Sequence, residues 1–251
     1  MKPILFNTEM VKALLEGRKT MTRRLIKPQP EFREGETGTP ERCADGNWCF
    51  KIDQYTSIYD FDYKPPYQPG DILYVRETWC KGKVAYGEEP DGRCVPFISQ
   101  CPGEDDIIPK ELAIREGIGI EDVVWRPSIH MPKEAARIFL RVKSVRVEQL
   151  QEGFSGDTAI FALRAEGIDI GEHCRTCIDN YGRPCCNDED TDGGSECGML
   201  DDVLTKFVQL WDSTIPKHPN KFKSYPYYWK DNPWVWVIEF ERISKEDIDH
   251  G

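Results

Sequence analysis

The sequence has no apolar run near the roughly 18 residues that a membrane-crossing helix needs. Its opening stretch, MKPILFNTEMVKALLEG, is amphipathic and lacks the continuous apolar core of a secretory leader. Neither a membrane protein nor a secreted precursor is expected. Positive charge is scarce too: 33 Lys and Arg stand against 44 Asp and Glu, a formal charge of −11 over 251 residues. Such a chain is a poor general adhesive for nucleic acid, so contact with it must come from a local basic patch, and no extended DNA track is expected. There is no internal repeat, and a fibrous protein is excluded. What is present suits a folded chain: 39% hydrophobic and 31% charged residues are too apolar for wholesale disorder. The length supports one decorated domain or two small ones, either able to bury a core.

Ten cysteines without an export signal point to a reducing cytosol, where clustered thiols bind metal or stay reduced more often than they pair. Cys43, Cys49, Cys80, Cys94 and Cys101 are scattered through loop-like sequence. Cys174, Cys177, Cys185, Cys186 and Cys197 crowd together, with His173 beside the first. This set offers tetrahedral thiolate and imidazole ligands for a structural zinc. Cys174-x-x-Cys177 has knuckle spacing, whereas the second half is Cys185-Cys186 and a lone Cys197. A segment as polar as NDEDTDGGSE cannot bury a core of its own, so a metal staple is physically sensible. Metal-free thiols, disulfides and an iron–sulfur cluster are the alternatives. Glu189, Asp190 and Asp192 read as a solvated loop.

Asn7 or Thr8 caps a first helix whose apolar residues Met10, Val11, Leu14 and Leu15 recur at helical spacing, with Gly17 at its C′ position. Residues 28–70, rich in Pro, Gly, Asp and Tyr, read as a long insertion with a hairpin near 48–52 and 57–61. Gly70-Asp71 opens a strand over 72–79. Residues 80–124 carry GEEPDG, CPGEDD and a weak helix near 110–116; that length without periodicity predicts a functional lid or a mobile insertion. The next strand spans 136–147, with Ile138, Leu140 and Val142 alternating against Arg141 and Lys143. Asp157 caps a short helix through Ala159, Ile160 and Leu163 that Gly167 stops. After the Cys-rich insertion 171–198, Leu200, Val203, Leu204, Phe207, Leu210 and Trp211 mark the strongest amphipathic helix, with Pro216 beyond it. The run WVWVIEFERI places Trp234, Trp236, Ile238 and Phe240 on one face, as a half-buried strand does. The expected class is α+β in a single domain over 1–251: a small, mostly antiparallel sheet or barrel, two or three helices and three large insertions.

The segment GRKTMTRRLIK, residues 17–27, holds Arg18, Lys19, Arg23, Arg24 and Lys27 and no acid. Its bland reading is a solvated turn. Its functional reading is a phosphate- or nucleotide-facing patch, since Arg offers bidentate geometry and stacking and Lys a point charge. Gly17-x-Lys19-x-x-Thr22-x-Arg24 resembles the GxKxxExR signature of ASCH domains, small β-barrels of the PUA-like superfamily associated with RNA. Thr in place of the usual Glu resembles one branch in particular, the bacterial 4-acetylcytidine amidohydrolases, whose motif reads GRKTxTxR. Gly70-Asp71-Ile72-Leu73 is similar to the family's strand start, and Arg164-Ala165-Glu166-Gly167 to its helix-terminal AEG. RETW (76–79), PSIHMP (127–132) and NPWVWVIEF (232–240) resemble the longer ASCH proteins of phages and prophages. The resemblance covers about half the chain. It implies a PUA-like, ASCH-type barrel with large loop insertions, working in the cytoplasm of a bacterium or a phage-infected cell.

By the same resemblance Lys19, Thr22 and Glu166 form a catalytic set that hydrolyses the acetyl amide of a modified cytosine base or nucleoside without a catalytic cofactor. That reaction needs an activated nucleophile, stabilisation of a tetrahedral oxyanion and a proton for the leaving amine. Either Thr22 supplies the hydroxyl with Lys19 as base, or both position a water. Residues i and i+3 of an ideal strand face opposite sides, so Lys19 and Thr22 cooperate only if the chain bends after Gly17, which a helix-ending glycine allows. Lys19 serves as a base only with a pKa well below about 10.4. Burial and Arg18, Arg23 and Arg24 promote that, and Glu166 opposes it. Glu166 falls in the last turn of its helix, where a carboxylate is disfavoured by about 0.3–1 kcal/mol.

Arg18, Arg23 and Arg24 are expected to bind substrate. Arg76, Glu77 and Trp79 join them, on a strand that the ASCH pattern places near the cleft and that must bulge for all three to face it. His130 adds a ligand or proton carrier. The bland alternatives are a core Trp79 and a structural His130. Trp211, Trp234 and Trp236 are assigned to the core. The expected partner is a modified nucleoside, a nucleobase or a short RNA. A non-catalytic module binding RNA or a modified nucleotide is the competing reading. A nuclease for single-stranded RNA ranks lower, because the matched motifs supply no carboxylate cluster for Mg²⁺.

Overall fold

The computed structural model describes residues 1–32, 37–52, 58–101, 103, 106–154, 159–171, 199–215 and 227–249. The Asp157 cap, Pro216, and His173 with Cys174, Cys177, Cys185, Cys186 and Cys197 lie outside them. The architecture is α+β. In chain order its first elements are β1 (Lys2–Leu5), α1 (Thr8–Leu15), β2 (Met21–Leu25), β3 (Gly38–Arg42), β4 (Trp48–Ile52), β5 (Ile58–Tyr63), β6 (Ile72–Arg76) and β7 (Trp79–Lys81). Then come β8 (Lys83–Glu88), β9 (Cys94–Ser99), β10 (Ile107–Pro109), α2 (Lys110–Arg115), β11 (Phe139–Gln149), α3 (Ala159–Ala165), α4 (Met199–Thr214), β12 (Trp234–Ile243) and α5 (Glu246–Asp249). Two compact units result, one of Met1–Gly17, Gly70–Arg141 and Glu241–Gly251, the other of Arg18–Pro69 and Val142–Phe240. Among the described residues no helix is long and apolar enough to cross a membrane.

In the first unit, β1 runs parallel to β6, which pairs antiparallel with the start of β11. The Asn7 side chain caps α1 by accepting the Met10 N–H at 2.8 Å, and Gly17 ends the turn at φ +74°. Val11, Ala13 and Leu14 are the buried face of that helix. Residues 80–124 carry a β8–β9 hairpin and a β7–β10 pair. They also have an apolar cluster: Cys80, Ile98, Ile108 and Ala113, with Val84, Ile118, Ile120, Val123 and, just past the stretch, Trp125 packed around it. Cys80, Ile98, Ile108 and Ala113 come from four separate elements, so no single window of sequence shows a period.

In the second unit the sheet order is β11-β12-β2, and Thr22 lies opposite Ile238. A β3-β4-β5 meander stands beside it in the chain. One apolar core cluster there joins Leu150, Phe154, Ile160, Leu163, Val203, Phe207, Trp211, Val235 and Val237. Each large side chain fully removed from water there stabilises the fold by roughly 1.5–3 kcal/mol. The strand β12 differs from its half-buried expectation, because Val235, Trp236, Val237 and Ile238 are all buried. Val235 and Val237 belong to that core, while Trp234 meets Phe32 and Phe50, and Trp236 meets Trp48, edge to face. Packing on both faces is why the valines between the tryptophans are as buried as their neighbours.

Candidate active site

The site is built on the end of α3. Ile168 N–H donates to the Leu163 carbonyl (3.0 Å), Gly167 N–H donates to that of Arg164 (2.8 Å), and Gly167 has φ +88°. This is a Schellman ending, which only a residue at ease with positive φ closes without strain. It leaves the carbonyls of residues 165–167 directed out of the helix, and the basic segment takes up all three. Thr20 N–H donates to Ala165 (3.0 Å), the Lys19 amine to Glu166 (2.6 Å) and the Arg18 guanidinium to Gly167 (2.8 Å). Cations at the negative end of a helix are favourable. The charge segregation visible in residues 17–27 thus has a local cause.

This docking brings Lys19 to Glu166 across 147 residues of chain. Lys19 Nζ lies 3.2 Å from Glu166 Oε2 and also donates to the Met21 carbonyl at 2.9 Å. The Lys19 side chain has no exposure and Glu166 is buried. Burial pushes the Lys19 pKa below its ordinary value; the Glu166 carboxylate opposes that, and Arg24 and Arg23 reinforce it. The other Glu166 oxygen accepts from Arg23 Nη1 at 2.9 Å. Arg23 lies over the Phe154 ring at 4.3 Å and within 3.5 Å of Glu148. Among the described residues its buried Nε has no hydrogen-bond partner. Gly153 makes room for this guanidinium, since a Cβ there would stand 2.0 Å from Arg23 Nη2. Charges of alternating sign continue outward: Arg146 bonds both Glu148 and Glu239, and Ser144 donates to Glu239 at 2.9 Å.

Thr22 is buried in β2, adjacent to Arg23 in the strand, so alternation turns its side chain to the face opposite that of Met21 and Arg23. Among the described residues the side-chain hydrogen bonds of Lys19 and Glu166 run to one another, to Met21 and to Arg23, and none of these involves Thr22. Arg24 shares the Thr22 face and is half-buried; burial lowers its pKa, against the pull of Tyr67 and Glu166. Lys19, Arg23 and Glu166 are therefore joined directly, and Arg24 acts on the same carboxylate through space.

Arg76, Glu77, Trp79 and His130 belong to the first unit. Glu77 is buried and takes both Arg137 donors, Nε at 2.9 Å and Nη2 at 2.8 Å; the same Nη2 donates to buried Glu111 at 2.6 Å. Trp79 is 3% exposed, and among the described residues its indole N–H has no hydrogen-bond partner. Arg76 donates to the Ile129 carbonyl at 3.0 Å, and His130 is exposed at the end of a short 3-10 turn.

Sequence reasoning passed over Glu148, Arg146, Ser144 and Gly153. A signal for the first three exists, since 144, 146 and 148 continue the polar side of β11 between buried Val145 and Val147. Nothing local marks Gly153, whose role depends on a side chain 130 positions away in the sequence.

Buried, linked by one carboxylate and flanked by guanidiniums, Lys19 and Glu166 can share or exchange a proton and hold negative charge. They can equally serve as a structural clamp on the end of α3. Comparison of the chain with protein-family models, with curated proteins and with solved structures gave no match.

Proposed function

We propose that the protein is an amidohydrolase of ASCH type, on a PUA-like fold, that removes the acetyl group from a 4-acetylated cytosine base or nucleoside. The observation that carries this reading is the meeting of Lys19 and Glu166 at 3.2 Å inside the second unit, at the two places where the motif resemblance sets catalytic residues. In this reading Glu166 accepts a proton as the attacking oxygen adds to the acetyl carbonyl, and returns it to the exocyclic nitrogen as the C–N bond breaks. Acetate and cytosine leave. The Arg24 guanidinium holds the oxyanion, and the Lys19 ammonium orients Glu166 for the proton transfer. Thr22 either orients a water or attacks by itself, and the second route leaves an acetyl group on its hydroxyl that mass spectrometry detects.

The test is acetate release from 4-acetylcytidine, its free base and acetylated RNA. Release that is lost in Lys19→Ala and Glu166→Gln proteins of native circular dichroism supports the proposal. No release from any of the three substrates sinks it.

A binding module without chemistry is the second reading. It is favoured by the three acceptors that already surround the unexposed Lys19 amine. That reading expects salt-dependent RNA binding that Arg24→Ala weakens, with no acetate released.

A further inference from the structure

Cys43 and Cys49 flank the tight turn between β3 and β4. Arg42 pairs with Trp48 and Glu41 with Cys49, so side chains 41, 43, 47 and 49 share one face of the hairpin. The turn is closed by Cys43 N–H to the Asn47 carbonyl (2.8 Å) and Gly46 N–H to that of Cys43 (3.0 Å), with Gly46 at φ +86°. Asp45 accepts the Asn47 N–H at 3.0 Å. The two Sγ atoms stand 3.1 Å apart. Two thiolates of a tetrahedral zinc centre, with Zn–S near 2.3 Å, sit about 3.8 Å apart. A disulfide draws them to about 2.05 Å. The observed separation is too short for the first arrangement and needs about 1 Å of side-chain rotation for the second. Among the described residues, moreover, no third His, Cys, Asp or Glu joins the pair into a metal-ligating group.

We infer that Cys43 and Cys49 form a redox-modification site that closes to an intramolecular disulfide when it meets a small-molecule disulfide oxidant. Cys43 is half-buried and Cys49 is 8% exposed, so Cys43 is the attacking thiol. Its thiolate displaces one thiol of the oxidant to give a mixed disulfide. The Cys49 thiolate then attacks Cys43 Sγ and releases the second thiol. The chain loses two protons and two electrons, and the oxidant becomes two thiols. Closure ties the strand bearing Trp48 and Phe50, which rest on Trp236 and Trp234, to its neighbour.

Trypsin isolates the pair cleanly, because residues 43–51 contain both cysteines, no other cysteine and no internal cleavage site. The full-length protein is incubated with oxidised glutathione, quenched with acid, alkylated under denaturing conditions and digested without reduction. The peptide is expected to lose both alkyl groups and to weigh two hydrogens less than its reduced form. Cys49→Ser is expected to trap glutathione on Cys43, and Cys43→Ser to leave Cys49 alkylated. Three results overturn the inference: a doubly alkylated peptide after oxidation that labels exposed Cys94 and Cys101, glutathione retained on Cys43 of the wild type, or bound zinc that protects both thiols and is lost in Cys43→Ser.

Discussion

Replacing Glu166 with Gln keeps the side chain's shape and removes its charge. Lys19, whose side chain has no exposure, then loses its carboxylate, and Arg23, at 1%, keeps only Glu148 at 3.5 Å. Removing one partner of a buried ion pair costs about 3–5 kcal/mol, chiefly because the other charge remains desolvated. At roughly 2–4 °C per kcal/mol for a chain of 150–250 residues, thermal denaturation is expected about 6–20 °C lower. Lys19→Met should relieve part of this loss when combined with Glu166→Gln. The double variant is then more stable than the sum of the single effects predicts, by a coupling of about 0.5–3 kcal/mol. Circular dichroism melts of the four proteins at one pH and salt supply the cycle. If Glu166→Gln melts within the roughly ±0.5 kcal/mol typical of an exposed substitution, the buried charge cluster is not what clamps α3.

Gly153→Ala drives a methyl group to 2.0 Å from Arg23 Nη2; a loss of about 1–3 kcal/mol is expected, and urea titration should find most of it gone when Arg23→Met is also present. For Glu239, burial pushes the carboxyl pKa up, but hydrogen bonds from Ser144 and Arg146 outweigh it and bring it below 4.5. A carboxyl held lower in the folded state contributes stability that is complete above that value and fades as the pH falls through the folded pKa. Melting temperatures across the acid range should therefore fall less steeply for Glu239→Gln than for wild type, and parallel curves refute this. Elemental analysis is expected to find about one zinc per chain, lost in Cys174→Ser; a metal-free protein rejects the expectation at His173 and the clustered cysteines.

Short-range chemistry was legible in the sequence. Asn7 and Gly17 bracket α1 as caps should, and Gly167 ends α3, because capping depends on residues within one turn. The hairpin expected near 48–52 and 57–61 is present as the antiparallel pairing of β4 with β5, two runs close in the sequence. What escaped was set by partners far along the chain. Arg23 reads as a candidate for substrate, yet Glu166, Phe154 and Glu148 occupy its guanidinium. Glu77 reads the same way and bonds Arg137, 60 residues on. No local pattern distinguishes a basic residue that faces a ligand from one that faces a distant carboxylate. The meeting of Lys19 with Glu166 was reached only through the motif resemblance, since nothing in either segment names the other.

The β7–β10 pair, the β8–β9 hairpin and α2 gather around Cys80, Ile98, Ile108 and Ala113. A stretch that seats its own greasy nucleus can open as a unit below global unfolding. Its amides should surrender deuterium protection together, as one cooperative block. The stretch is nonetheless moored: Glu111 of α2 shares the Arg137 guanidinium with Glu77, so excising it would deprive a half-buried cation of one carboxylate as well as strand apolar side chains.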